Sequence, residues 1–138
     1  MAKRFEVIDH TADIGIAAYG ADLKEAFANA AYALFSLMVD VEDLGDAICH
    51  EVEVTAEERM DLLVAWLNEM IYLFETERVL FKRFEIGELT ETRLRASCYG
   101  EKIDPRRHKI KVGVKAATYH MLKIEEGDGC RVQVLFDI

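Results

Sequence analysis

The chain has 138 residues, 51% of them hydrophobic, with one proline and a formal net charge of −9 from 17 Lys+Arg against 26 Asp+Glu. That length suits one domain with a sizeable core, and the apolar content excludes a disordered chain. No apolar run reaches the roughly 18 residues of a membrane span, the start (Met1-Ala-Lys-Arg-Phe-Glu) has no signal-peptide stretch, and so acidic a body disfavours tight binding to RNA or DNA, so a soluble, cytoplasmic protein is expected.

In chain order, 5–9 reads as a short strand, and 13–19 alternates with Ile14, Ile16 and Ala18 on one side. Asp22 and Glu25 form a capping-box signature for a helix to about Met38, whose apolar stripe includes Leu23, Phe27, Ala30, Leu34 and Leu37. An acidic loop follows over 40–47, then a strand marked by Ile48, Val52 and Val54. Thr55 and Glu58 give a second capping-box signature, opening a helix through Phe74. This second helix is apolar nearly all round, which predicts that it is the more buried of the two.

Strands are then expected at 79–86, 92–99, 109–116, 119–125 and 130–138, with Gly127-Asp-Gly129 as the hairpin turn before the last. Strands in runs after the second helix favour α+β over a parallel α/β sheet. Leu23-x-x-Ala26-Phe27-x-Asn29 recurs 39 residues later as Leu62-x-x-Ala65-Trp66-x-Asn68, which suggests a duplicated strand-helix-strand-strand unit.

Cys49, Cys98 and Cys130 form no C-x-x-C pair and read as buried, reduced structural thiols. Acids dominate between Asp40 and Asp61, and bases (Arg106, Arg107, Lys109, Lys111) between Lys102 and Lys115. Two readings are open: solvated loops of opposite sign, or a face that docks a charged partner.

Period-two alternation places Asp137 on the face of the last strand opposite Val134 and Phe136, and Asp13 opposite Ile14 and Ile16. If those strands are neighbours, Asp13 and Asp137 meet on the non-core side, with the Ile138 carboxylate beside them. Three such anions repel, and a hard cation resolves the conflict; calcium takes about 6–8 oxygen ligands, so water or a partner must complete the shell. The plainer alternative is a turn cap at Asp13 and an exposed acid at Asp137. Lys109, Lys111 and Lys115 share one side of their expected strand, where a lysine row ordinarily protects an edge, but the small residues Ala116-Ala117-Thr118 leave Lys115 accessible. His120 shares a side with Leu122 and Ile124 and is expected in the core, while His10 starts a turn beside Asp9. No glycine-rich phosphate loop, G-x-S-x-G, H-E-x-x-H or dinucleotide fingerprint occurs, so no catalytic constellation is assigned.

His10-Thr-Ala-Asp-Ile-Gly15, Trp66-Leu-Asn-Glu69, Val114-Lys-Ala-Ala-Thr-Tyr-His120 and the Phe136-Asp-Ile138 end together resemble the archease family. The resemblance implies a compact α+β domain over 1–138, built of two strand-helix-strand-strand units with two helices packed on mostly antiparallel sheet. It implies a non-enzymatic accessory protein that activates the RtcB-type RNA ligase in tRNA splicing, promoting guanylylation of the ligase and multiple turnover. It also implies a metal site at Asp13, Asp137 and Ile138 holding calcium or another divalent cation, and a part for Lys115 in activation. Two rival functions stand beside it: a metal-dependent phosphoester hydrolase gathering Asp9, His10, Asp13 and Asp137, and a general chaperone or interaction module.

Overall fold

The computed structural model describes residues 3–9 and 13–138, so His10 lies outside the described residues. Two antiparallel sheets and two helices make up the fold. The elements are β1 (Phe5–Asp9), β2 (Ile14–Gly20), α1 (Leu23–Met38), β3 (Ile48–Thr55), α2 (Arg59–Glu77), β4 (Val79–Leu89), β5 (Arg93–Lys102), β6 (Ala116–Ala117), β7 (Lys123–Gly127) and β8 (Gly129–Asp137). The first sheet runs β1-β2-β8, with β6 and β7 successively on the far edge of β8; the second runs β3-β5-β4.

The expected duplication is present in the topology, but one copy is inserted into the other. The contiguous unit is β3-α2-β4-β5, in which β3 pairs with β5 and β5 with β4. The outer unit has the same order, β2-α1 followed by β7-β8, with β2 paired to β8 and β8 to β7. The two units meet at equivalent positions of the repeat: the Trp66 indole donates to the Phe27 carbonyl at 3.0 Å. A buried indole N–H needs such a partner, so the helix pair is set by a polar contact as well as by packing.

The Asp22–Glu25 capping box forms. Asp22 Oδ1 accepts from the Glu25 N–H at 2.9 Å, and Glu25 Oε1 reaches back to the N–H of Ala21. The Thr55–Glu58 box does not form: Glu58 itself is the N-cap of α2 and makes no side-chain capping bond. The helix also runs past Phe74 to Glu77, and Arg78 turns the chain in the left-handed region (φ 55°). Gly127 and Gly129 pair across Asp128 at the β7–β8 turn, as expected.

The expected burial of the helices is reversed. Helix α1 packs on β2 and β8 and also against β4, whereas α2 leaves Tyr72 58% exposed and Glu75, Thr76 and Glu77 in solvent. Small residues explain it, because Ala26, Ala30, Ala31 and Ala33 let both sheets approach α1 closely. One apolar cluster spans both units, from Ile16 and Phe136 to Leu94 and Cys98.

The expected strand over 109–116 is absent except at Ala116–Ala117. Its backbone turns to a helix end instead, with the Lys111 N–H donating to the Met38 carbonyl at 2.7 Å. The alternation that suggested a strand comes from Ile110, Val112 and Val114 packing on the core from this irregular segment. In the same segment the oppositely charged loops touch each other: Lys111 Nζ pairs with Asp40 at 3.3 Å, and Arg107 donates to the Asp43 carbonyl.

Among the cysteines only Cys98 is fully buried, and burial pushes its thiol well above its usual range. Cys49 is exposed and Cys130 half-buried, against expectation. His120 is also exposed rather than in the core, because the expected strand over 119–125 begins only at Lys123 and 119–121 form a turn.

Candidate functional site

The β2–β8 ladder settles the geometry on which the carboxylate expectation depended. Ile14 pairs with Phe136 and Gly15 with Leu135, so continuing the register places Asp13 opposite Asp137 at the end of the sheet. Both fall on the side-chain face shared by Gly15, Ala17, Leu135 and Gln133, away from the face that carries Ile16, Val134 and Phe136 into the core. Asp13 is half-buried, Asp137 is exposed and Ile138 is 50% exposed.

The third strand brings Lys115 to the same place. Ala116 pairs with Asp137, and the Lys115 N–H donates to the Asp137 carbonyl at 2.8 Å. The Lys115 side chain is exposed. Asp13 and Asp137 thus lie opposite each other at this end of the sheet, with the Lys115 backbone beside Asp137.

Asp9 does not join them. It pairs with Ile14, so its side chain falls on the face opposite Asp13 and Asp137. That removes one carboxylate from the pocket on which a hydrolase reading relied.

Two features hold this end of the sheet. Leu135 lies over Gly15, where a Cβ would stand 2.3 Å from Leu135 Cδ2, so an added methyl would force that side chain to shift. On the other side Asn68 Oδ1, in the middle of α2, accepts from the Ala117 N–H at 2.8 Å and pins β6 beside β8. Sequence reasoning placed Asn68 in the repeat and the family motif but gave it no role. The available signal was an amide side chain inside an apolar helix, where it has to find a partner.

As a cation site the donor set is all oxygen: two carboxylates and the main-chain oxygen of Ile138. Among the described residues no side chain hydrogen-bonds or ion-pairs with either carboxylate. No group of three His, Cys, Asp or Glu side chains among them is placed to hold a metal. Two carboxylates and one main-chain oxygen are fewer donors than the roughly six to eight oxygens calcium takes, so these residues alone would not complete a cation's shell.

A second polar cluster escaped sequence reasoning. Arg107 clasps the Glu101 carboxylate with both guanidinium nitrogens (3.0 and 3.2 Å), and the Gly45 N–H donates to it at 3.0 Å. His108, its side chain only 3% exposed, accepts from the Asp104 N–H at Nδ1, so its Nε2 carries the proton and donates to Glu101 at 3.0 Å. The Arg107 guanidinium is the main cause that holds the Glu101 carboxyl at about 2, below its usual 4.5. With every partner internal, this cluster ties the acidic loop to the end of β5.

Comparison with known proteins places the whole chain. The sequence profile of the archease protein family (MTH1598/TM1083) matches residues 5–138. Protein archease of Pyrococcus abyssi is 45% identical over 127 residues, covering 90% of this chain and 89% of that one. Protein archease of Methanosarcina acetivorans is 38% identical over 141 aligned positions, covering 99% and 97%. The solution structure of Methanobacterium thermoautotrophicum protein 1598 superposes with a TM-score of 0.83 at 39% identity, covering 98% of this chain and 99% of that one. A crystal structure of an archease from Thermotoga maritima, described as a possible chaperone, gives 0.60 at 25% identity, covering 100% and 98%. The chain belongs to the archease family.

Proposed function

We propose that this protein is a non-enzymatic activator of an RtcB-type RNA ligase, acting in the cytoplasm to promote guanylylation of the ligase and its repeated turnover in tRNA splicing. Family membership supports the partner. The observation that supports the site is the pairing of Asp13 with Asp137, and of the Lys115 backbone with Asp137, at one end of the first sheet.

These groups hold and orient charge rather than make bonds. Lys115 is a compact, accessible point charge suited to a phosphate oxygen of a nucleotide bound on the partner. Asp13, Asp137 and the Ile138 main-chain oxygen are the groups that would hold calcium or another divalent cation. Such a cation, when bound, supplies charge neutralisation for the phosphates in nucleotidyl transfer. The partial shell suits a site finished by the partner, and the net charge of −9 suits docking to a basic RNA enzyme better than docking to RNA.

The test is multiple-turnover ligation by the cognate ligase with GTP and manganese, with and without this protein. Faster guanylylation and repeated turnover only in its presence are expected. No stimulation by a well-folded sample would contradict the reading and turn attention to phosphoester hydrolysis by the protein alone, or to general chaperone activity.

A further inference from the structure

With 26 Asp+Glu against 17 Lys+Arg, this chain has a carboxylate to spare for every base, and most of its arginines take one. Arg59 pairs with Glu91, Arg93 with Glu53 and Arg131 with Glu125. Among the described residues only Arg78 and Arg106 have a guanidinium that neither hydrogen-bonds nor ion-pairs; Arg78 rests over the Phe74 ring at 5.6 Å. Both stand at one corner of the second sheet. The Ile103 N–H donates to the Arg78 carbonyl at 2.7 Å, and the turn 104–108 that carries Arg106 follows at once. Lys102, opposite Val79 in the β4–β5 ladder, reaches only the Glu77 carbonyl, at 2.9 Å, and the Lys109 side chain bonds to nothing among the described residues. All four cations are exposed.

The turn that presents Arg106 is fixed from beneath. The Asp104 carbonyl accepts from the N–H groups of Arg107 and His108 at 2.9 and 2.7 Å, and Asp104 Oδ1 accepts from the Arg106 N–H at 3.0 Å. The buried His108 ring joins Asp104 to Glu101, and Arg107 clasps Glu101 from the other side. Adjacent arginines therefore have opposite tasks: Arg107 is engaged inside the protein, and Arg106 is held outward with no partner. A cation on a backbone already ordered loses less freedom when it meets an anion.

We propose that Arg78, Lys102, Arg106 and Lys109 are a contact for the phosphate backbone of the RNA strand that the ligase holds. This rests on the function proposed above. An exposed guanidinium without a carboxylate suits two oxygens of one phosphate, and the lysines add point charges beside it. RNA is favoured over an acidic protein surface because successive phosphates offer a regular row of anions to four cations, and such contacts position a strand without reading its sequence. Glu75 and Glu77, exposed in the last turn of α2, and the net charge of −9 keep RNA binding by this protein alone weak. The contact acts once the ligase brings the two together.

The double variant Arg106→Ala/Lys109→Ala tests this in the full chain, after its Tm is matched to the parent. Guanylylation joins ligase and GTP without RNA as a reactant, so its stimulation should equal that of the parent. In multiple-turnover ligation the KM for RNA should rise about threefold or more at low salt. The slope of log kcat/KM against log salt should flatten by about 1–1.5, because each single-strand phosphate contact contributes about 0.7. Arg106→Lys, which keeps the charge, should stay within about twofold of the parent KM. Parent-like KM and salt slope in the folded double variant overturn the RNA contact and leave the activator reading intact. Weaker guanylylation stimulation by the double variant without RNA overturns it in favour of an acidic surface on the ligase. Absence of stimulation by the parent protein overturns the activator reading, and the RNA contact with it.

Discussion

The Lys115 N–H donates to the carbonyl of Asp137, so the lysine's place at the carboxylate end of the first sheet is set by its own backbone rather than by its side chain. Lys115→Ala should then leave stability within about 0.5 kcal/mol, as for other exposed substitutions without a buried partner. Its guanylylation stimulation should nevertheless fall steeply. Thermal melting beside a single-turnover guanylylation assay checks both halves, and a folded variant with full stimulation would remove Lys115 from the account.

Asn68 should behave as a positioning residue. Asn68→Ala strips the Ala117 N–H of its acceptor, and leaving a part-buried donor unpaired costs about 1–3 kcal/mol. Stimulation should weaken through displacement of Lys115. Denaturant unfolding gives the first effect. Hydrogen exchange at the Ala117 amide should accelerate more than exchange in β3, whereas a uniform change would indicate general destabilisation.

Gly15 and Leu135 should couple. Gly15→Ala forces its new methyl onto the Leu135 side chain and close to the Val134 carbonyl, a strain of about 1–3 kcal/mol. In the double variant Gly15→Ala/Leu135→Ala the side-chain clash is gone. The sum of the single losses should therefore exceed the double loss by more than about 0.5 kcal/mol in a mutant cycle. Additive losses would mean that the strain lies in the backbone.

The Glu101 clasp predicts an acid-sensitive contribution. Its carboxyl is depressed in the folded state to about 2 from 4.5. The stability it contributes is thus present above pH 4.5 and lost as pH falls towards 2. Glu101→Gln should be clearly less stable than the parent at pH 7, with the gap closing across that window. A gap of constant size from pH 7 to pH 2.5 would show that the charge of Glu101 is not what matters.

Much of this was legible in the residues, where local chemistry and tertiary environment agree. The Asp22–Glu25 cap, the alternation of β2 and β8 and the shared face of Asp13 and Asp137 all follow from short-range rules. The errors lie where distant partners decide. Lys109 to Lys115 alternates like a strand, yet the Met38 carbonyl takes the Lys111 N–H, and the backbone bond to β8 is made only at its end, by Lys115. The alanines of α1 carry little hydrophobic weight but permit the closest packing, so α1 and not α2 is the central helix. His108 carries no motif, and its bond to Glu101 depends on a turn bringing Asp104 back to its ring.

The claim that most needs testing is that the paired carboxylates, and not the fold in general, do the activating. The most direct measurement is the initial rate of ligase guanylylation with saturating parent protein, Asp13→Asn or Asp137→Asn, each variant first matched to the parent in far-UV circular dichroism and Tm. The account predicts that both variants bind the ligase yet lose nearly all stimulation. Full stimulation by both variants would contradict it.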